Sequence, residues 1–264
     1  MDTTETVQTR AAKSARAARS ESRIADEPAF VLHSYPYKET SLIVDAMTRN
    51  HGRVALIARG AKRPRSALRG MLLAFRPLAL SWSGGRSRSS ELANLSAAEW
   101  IGGVPPLQGE GLICGFYLNE LLIKLLARDD PHESLFDAYL SALIALGSGH
   151  PAAPVLRAFE YTLLGQAGYA LELTHCVESG RKVEADLWYR YLPERGPVAV
   201  NEPATQAKDI PVVRGRTLLD IARSDFTDPV TQAQSKLLAR HLLNHHLAGQ
   251  TLHTRQMLID LHDL

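Results

Sequence analysis

Between Ala46 and Ser90 the chain places Arg49, Arg53, Arg59, Lys62, Arg63, Arg65, Arg69, Arg76, Arg86 and Arg88, with no aspartate or glutamate among them. The 264 residues together carry a formal net charge of +2, so this +10 segment leaves the remainder at −8. Segregated charge of this kind suits a polyanion, either a nucleic-acid backbone or an anionic membrane surface. Most of the cations are arginine, whose planar fork pairs with phosphate through two parallel hydrogen bonds, where lysine acts as a point charge. The competing explanation is a solvated charged loop. The lack of any interrupting acid and the bias to arginine weigh against it.

Other chemistries find little support. His241 and His245 stand four apart, the spacing at which two imidazoles on a helix face bind zinc, but the glutamate a zinc protease needs after the first histidine is Leu242. With His246 adjacent, a surface histidine cluster is expected. A hydrolase using that cluster is a rival reading, and it predicts metal-dependent turnover. Gly109-x-Gly111-x-x-x-Gly115 has one residue too many for a dinucleotide fingerprint, and neither a phosphate loop nor a nucleophile elbow occurs. Cys176 follows His175 without a second cysteine two to four residues away, so no structural zinc site is expected. The reading is therefore a protein that is not an enzyme, with no catalytic residues, metal or cofactor. Cys114 and Cys176 are the only cysteines, which points to a reducing compartment, and no apolar run is long enough to span a membrane. The absence of an apolar leader near Met1 makes the expected location cytoplasmic.

The elements that must position the cations follow from periodicity. Residues 1–27 are rich in Ala, Ser, Thr and Arg and read as a disordered basic arm, with Arg10, Lys13, Arg16 and Arg19 at steps of three. From Pro28 short alternating runs appear at 30–32, 41–45, 53–59, 77–82 and 91–95, separated by turns such as Asn50-His51-Gly52 and Ser83-Gly84-Gly85. Five short strands in so small a span suit a closed barrel. In the third, Val54, Leu56 and Ala58 share one face and Arg53, Ala55, Ile57 and Arg59 the other, so the cations are expected to point away from the core. Gly102-Gly103-Val104-Pro105-Pro106 ends the β region. Leu112 to Arg128 is apolar nearly all round and is expected to be a central helix. Further helices are expected from Asp130-Pro131, over 154–167 and 217–223, from Asp228-Pro229 to Leu247, and over 255–261, with a two-stranded insertion around 186–200.

The order of these features resembles the RecO family of bacterial recombination mediators. The resemblance rests on Ala29-Phe-Val-Leu-His-Ser34, Glu39-Thr-Ser-Leu-Ile-Val-Asp45, His51-Gly-Arg-Val54, Ala58-Arg-Gly-Ala-Lys62, Phe75-Arg-Pro-Leu78, Tyr117-Leu-Asn-Glu-Leu-Leu122, Leu156-Arg157 with Phe159-Glu160, and Thr174-His-Cys176. It spans about residues 28–262. It implies an α+β fold with an N-terminal OB-fold barrel (28–103), an α-helical domain (107–264) and, at about 174–210, a degenerate form of the zinc knuckle that some members carry. It further implies binding of single- and double-stranded DNA and annealing of complementary strands. The implied partners are the C-terminal tail of single-stranded-DNA-binding protein and RecR, with RecA loaded indirectly and no membrane involved. An RNA-binding OB module is the alternative that the basic barrel alone allows.

On this reading Arg49, Arg53, Arg59, Lys62, Arg63, Arg65, Arg69 and Arg76 are the expected DNA contacts. Tyr35 and Tyr37 are possible base-stacking residues, whereas Trp82 at strand spacing with Leu78 and Leu80 is expected in the core. For the partner tail the candidates are Arg157, Lys236 and Arg240. A packing ion pair between Arg157 and Glu160 is the equal alternative for the first of these.

Overall fold

The computed structural model describes residues 23–84, 92–169, 171–201, 210–254 and 256–257. The described residues divide into two compact units, one of those up to 103 with 127–131 and one of 104–126 with those from 132 onward. The strands of the first unit are β1 (Arg23–Tyr37), β2 (Ser41–Thr48), β3 (Gly52–Ala58), β4 (Pro77–Ser83) and β5 (Ala93–Trp100). They close into a barrel in the order β1-β2-β3-β5-β4. All pairs are antiparallel except β3 with β5, where Leu56 lies beside Ala93 and Ile57 beside Asn94. A five-stranded barrel with this order is the OB fold.

Alternation builds its interior. Ala29 and Val31, Val44 and Ala46, Val54, Leu56 and Ala58, Leu78, Leu80 and Trp82, and Ala93 and Leu95 are all buried in one cluster. Trp82 is therefore a core residue, with its ring edge-on to His51 at 5.6 Å.

β1 begins at Arg23, so residues 23–27 form strand where the sequence suggested an arm. Ile24 pairs with Trp82 and packs on the core, a register shift separates Ile24 from Glu27, and buried Glu27 accepts hydrogen bonds from the Asn50 amide (2.6 Å) and its side chain (3.1 Å). Asp26, Glu27 and the bulge hide the alternation there. Residues 1–22, with the basic steps at Arg10 to Arg19, lie outside the described residues, as do Arg86 and Arg88.

In the second unit, α1 (Gly109–Leu125), α2 (Glu133–Gly147), α3 (Ala152–Gln166), α4 (Gly215–Ala222) and α5 (Pro229–His246) pack on one another. α1 buries Cys114, Tyr117, Leu118, Leu121, Leu122 and Leu125, while Leu112 and Phe116 are exposed, so this helix is not surrounded on every side as its composition suggested. It ends at Leu125 because residues 127–131 belong to the barrel unit, and α2 starts at Glu133 without a side-chain cap, so Asp130-Pro131 is not a helix start. α5 does start where the sequence put it, with an Asp228 carboxylate oxygen accepting from the Thr231 amide at 2.9 Å.

The insertion holds a third strand as well: β6 (Trp188–Leu192) pairs with both β7 (Gly196–Val200) and β8 (Val212–Arg214). At three residues β8 is too short to show a period.

One carboxylate anchors the last described turn. Glu120 on α1 accepts from the His253 amide (2.9 Å), the Thr254 amide (2.9 Å) and the Thr254 hydroxyl (2.6 Å), and pairs with Lys124 at 2.8 Å. Burial raises its pKa, but these donors outweigh burial and hold it at about 2, below the ordinary 4.5. A depressed carboxylate pKa stabilises the folded state above the unfolded-state value, and that contribution is lost as pH falls through the folded value. Amide hydrogen exchange at His253 and Thr254 is therefore expected to accelerate relative to the core between about pH 4.5 and 2. Glu120→Gln should produce the same acceleration at neutral pH.

Candidate nucleic-acid interface

The barrel register divides the basic run. Ala58 pairs with Leu42 at one end of β3 and Gly52 with Thr48 at the other, about 20 Å away at the usual rise per residue. Arg59 and Lys62 lie at the end where Tyr37 turns into Ser41, since the Lys62 amide donates to the Thr40 carbonyl at 2.9 Å. Arg49, Arg53 and Arg76 belong to the opposite end, where Met47 faces both Arg53 and Phe30, and Phe30 faces Pro77. A run contiguous in sequence is thus two groups in space.

The larger group sits on the segment joining β3 to β4. Ala61 and Leu72 pin it into the core cluster, and Leu68 and Met71 pack against the same cluster. Between these pins the backbone winds through short turns, with Arg63 N–H donating to Gly60 O (3.0 Å), Ser66 N–H to Arg63 O (3.1 Å) and Arg69 N–H to Ser66 O (3.1 Å). The apolar side chains face in, and Arg59, Lys62, Arg63, Arg65 and Arg69 are exposed. Arg59 is oriented by Asn94, to which its Nε donates at 2.9 Å. Lys62 and Arg69 border an open depression of about 350 Å³ whose floor includes Leu42, Leu68, Leu72 and Leu73. Tyr35 is 41% exposed on β1 near this end, and Tyr37 is half-buried with the Lys38 ammonium 5.4 Å from its ring centre.

The other group is less available. Arg76 is exposed and Arg49 half-buried, but the Arg53 side chain is only 12% exposed and lies 3.5 Å from the Asp45 carboxylate. Arg128 meets the same carboxylate at 3.4 Å. Burial pushes the Asp45 carboxyl up, partly offset by Arg53 and Arg128, and burial likewise lowers Arg53. Arg53 thus departs from the expected outward-pointing cation. The acid that holds it stands one residue before the acid-free run begins and diagonally across from it in the β2–β3 ladder.

In the helical unit, both Arg157 guanidinium nitrogens reach Glu160 at 2.6 Å, and Tyr117 donates to the same carboxylate at 2.6 Å. Arg157 is 12% exposed and Glu160 is fully buried, which is the geometry of a packing ion pair. Lys236 and Arg240 are exposed on α5, in the helical turns around Leu237, a leucine 60% exposed.

The turn after Cys176 has a knuckle-like backbone, with the Gly180 amide donating to the Cys176 carbonyl at 2.9 Å and the Cys176 amide to the Arg181 carbonyl at 2.8 Å. The residues do not fit the zinc knuckle that the family resemblance brings to mind, because the other cysteine, Cys114, is buried in α1. Among the described residues Cys176 belongs to no cluster of three ligand atoms. No helix among them is long and apolar enough to cross a membrane.

Comparison with known proteins agrees with this architecture in both halves. The N-terminal model of Recombination protein O matches residues 11–104 and its C-terminal model residues 107–256. The chain belongs to the RecO family. The DNA repair protein RecO of Azoarcus sp. (strain BH72) is 52% identical over 242 residues, covering 92% of this chain and 98% of that protein. That of Burkholderia pseudomallei (strain 1710b) is 54% identical over 246 residues, covering 93% and 86%. That of Ralstonia nicotianae is 53% identical over 250 residues, covering 94% and 89%. Membership of the RecO family gives the chain a role in DNA repair and recombination.

Proposed function

We propose that this RecO-family chain is a DNA-binding recombination mediator that catalyses no reaction. It binds single- and double-stranded DNA, anneals complementary strands and, together with RecR, helps RecA load on DNA covered by single-stranded-DNA-binding protein, in the cytoplasm at the nucleoid. The observation that carries this reading is the β3–β4 segment, which sinks its leucines into the barrel and leaves Arg59, Lys62, Arg63, Arg65 and Arg69 in water. Such a surface neutralises phosphates and reads few bases, which is what annealing irrespective of sequence requires. Tyr35 offers an exposed ring beside it on which a base can stack. Arg49 and Arg76, at the far end of the barrel, extend the path of a longer strand. For the acidic, apolar tail of the single-strand-binding partner, Lys236 and Arg240 around exposed Leu237 provide both charge and an apolar contact.

Replacing Lys62, Arg63, Arg65 and Arg69 together with alanine tests the reading by fluorescence anisotropy over a salt series. Each phosphate contact contributes about 0.7 to the slope of log affinity against log salt for a single strand, so the slope should become shallower by up to about 2.8. Thermal stability should not change, because all four side chains are exposed. A slope equal to that of the unmodified chain would reject the segment as the contact surface. Preference for RNA over DNA of equal length, without annealing of complementary DNA, would reject the function.

A further inference from the structure

The turn of the β6–β7 hairpin and the last turn of α5 meet in a cluster of side chains that the proposed DNA contacts do not include. Leu192 pairs with Gly196, and the turn between them puts Glu194 in a left-handed conformation (φ 62°) with its side chain 71% exposed. Its Oε1 lies 3.4 Å from His245 Nε2. The next residue, His246, stacks its ring on Tyr169 with centroids 3.6 Å apart and planes 19° from parallel. One ligand atom from each of Glu194, His245 and His246 lies within 4.8 Å of the others.

We propose that Glu194, His245 and His246 form a binding site for a zinc-class transition-metal ion, completed by water. Two imidazoles and a carboxylate make an N₂O donor set of the kind zinc accepts, and calcium or magnesium would favour an all-oxygen shell. Metal–ligand bonds of about 2.0–2.2 Å around a tetrahedral ion separate the donor atoms by about 3.3 Å. With the half-buried His246 ring held on Tyr169, closing from the present spacing takes small rotations of the exposed Glu194 and His245 side chains. Two further features favour a cation at this point. The stack on Tyr169 holds one imidazole in a fixed orientation, as partners beyond the ligands do at metal sites. Both histidines also occupy the C-terminal turn of the 18-residue α5, where the partial negative charge of the helix end attracts positive charge. A bound ion would clip the hairpin turn to the end of α5, two segments separated by 51 residues in sequence.

Calorimetric titration of the untagged full chain with zinc sulfate tests this. One zinc ion per chain is expected, with affinity weakened at least about tenfold in His245→Ala and in Glu194→Gln. Both replaced side chains are exposed, so the variants should keep the circular dichroism of the parent. Cobalt bound at the same stoichiometry should give visible bands without a thiolate charge-transfer band, since Cys176 is not a ligand. Zinc should also slow proteolysis within residues 193–195. Failure to bind one equivalent would overturn the proposal. So would binding that survives both substitutions but is lost in His175→Ala, or a cobalt spectrum showing sulfur ligation.

Discussion

Gly52→Ala is expected to destabilise the barrel by about 4 kcal/mol, near the upper end of what single substitutions do. Gly52 opens β3 with φ +69°, a conformation that costs a residue with a Cβ about 1–3 kcal/mol. An added Cβ would also lie 2.2 Å from the Asp130 carbonyl oxygen, 2.4 Å from its carbon and 2.7 Å from the Asp130 nitrogen. Those atoms are backbone and cannot rotate aside. The segment they belong to is held in place by the Asp129 amide donating to the Arg53 carbonyl at 3.0 Å, and by Arg128 bridging to Arg53 and Asp45. The glycine side is fixed equally, since the Thr48 hydroxyl donates to the Gly52 carbonyl at 2.8 Å. The methyl must therefore push residues 127–131 off the barrel or distort the β2–β3 turn. Gly70→Ala separates strain from collision, because Gly70 has φ +77° but nothing within 4 Å of an added Cβ. It should cost only about 1–2 kcal/mol. Urea denaturation followed by circular dichroism reads the difference, with the Gly52→Ala midpoint lower than the parent's by more than about 1 M. Equal midpoints for the two variants would mean that residues 127–131 do not pack on the barrel as described.

The packing of residues 127–131 also marks the limit of what the sequence discloses. The barrel was legible because alternation, turn residues and β-branched runs are local signals, and Val54, Leu56 and Ala58 declare their common face without reference to the rest of the chain. The excursion from α1 back to β3 has no such signal. Asp130-Pro131 has the chemistry of a helix start, and only the long-range contact with Gly52 turns it to another use. The same limit applies to the cations. Counting charge along the chain finds the basic segment, but the count ignores that β3 carries its two ends to opposite rims of the barrel. It also stops one residue short of Asp45, the acid that occupies Arg53. The loop cations were found by charge alone, and they turn outward because Ala61, Leu68 and Leu72 of the same segment pack on the core. Of the proposed metal site the sequence showed only histidines, read with His241 as a surface cluster of His241, His245 and His246, because Glu194 comes from a hairpin 51 residues earlier.

Arg157→Ala should cost about 3–5 kcal/mol of stability, the usual effect of removing one partner from a buried ion pair. Glu160 is 0% exposed, and its carboxylate takes both Arg157 nitrogens and the Tyr117 hydroxyl at 2.6 Å. Removing the guanidinium leaves a negative charge in the packed interior of α1 and α3 without its counter-charge. Arg157→Lys should fall between the two, since an ammonium supplies the charge but not the fork that matches both carboxylate oxygens. Replacing both partners, as Arg157→Leu with Glu160→Leu, should recover most of the loss, because no charge then remains to be desolvated. Chemical denaturation of the parent and these three variants measures the series, and the single variants Arg157→Leu and Glu160→Leu complete a double-mutant cycle that extracts the coupling. The same variants separate folding from recruitment. On the proposed function, if Arg157 serves only α1–α3 packing, Arg157→Leu with Glu160→Leu should bind the tail peptide of single-stranded-DNA-binding protein as well as the parent, and Lys236→Glu with Arg240→Glu should abolish binding in a stable chain. Unchanged stability in Arg157→Ala, accompanied by loss of peptide binding, would reverse that assignment and make the buried arginine the one that receives the tail.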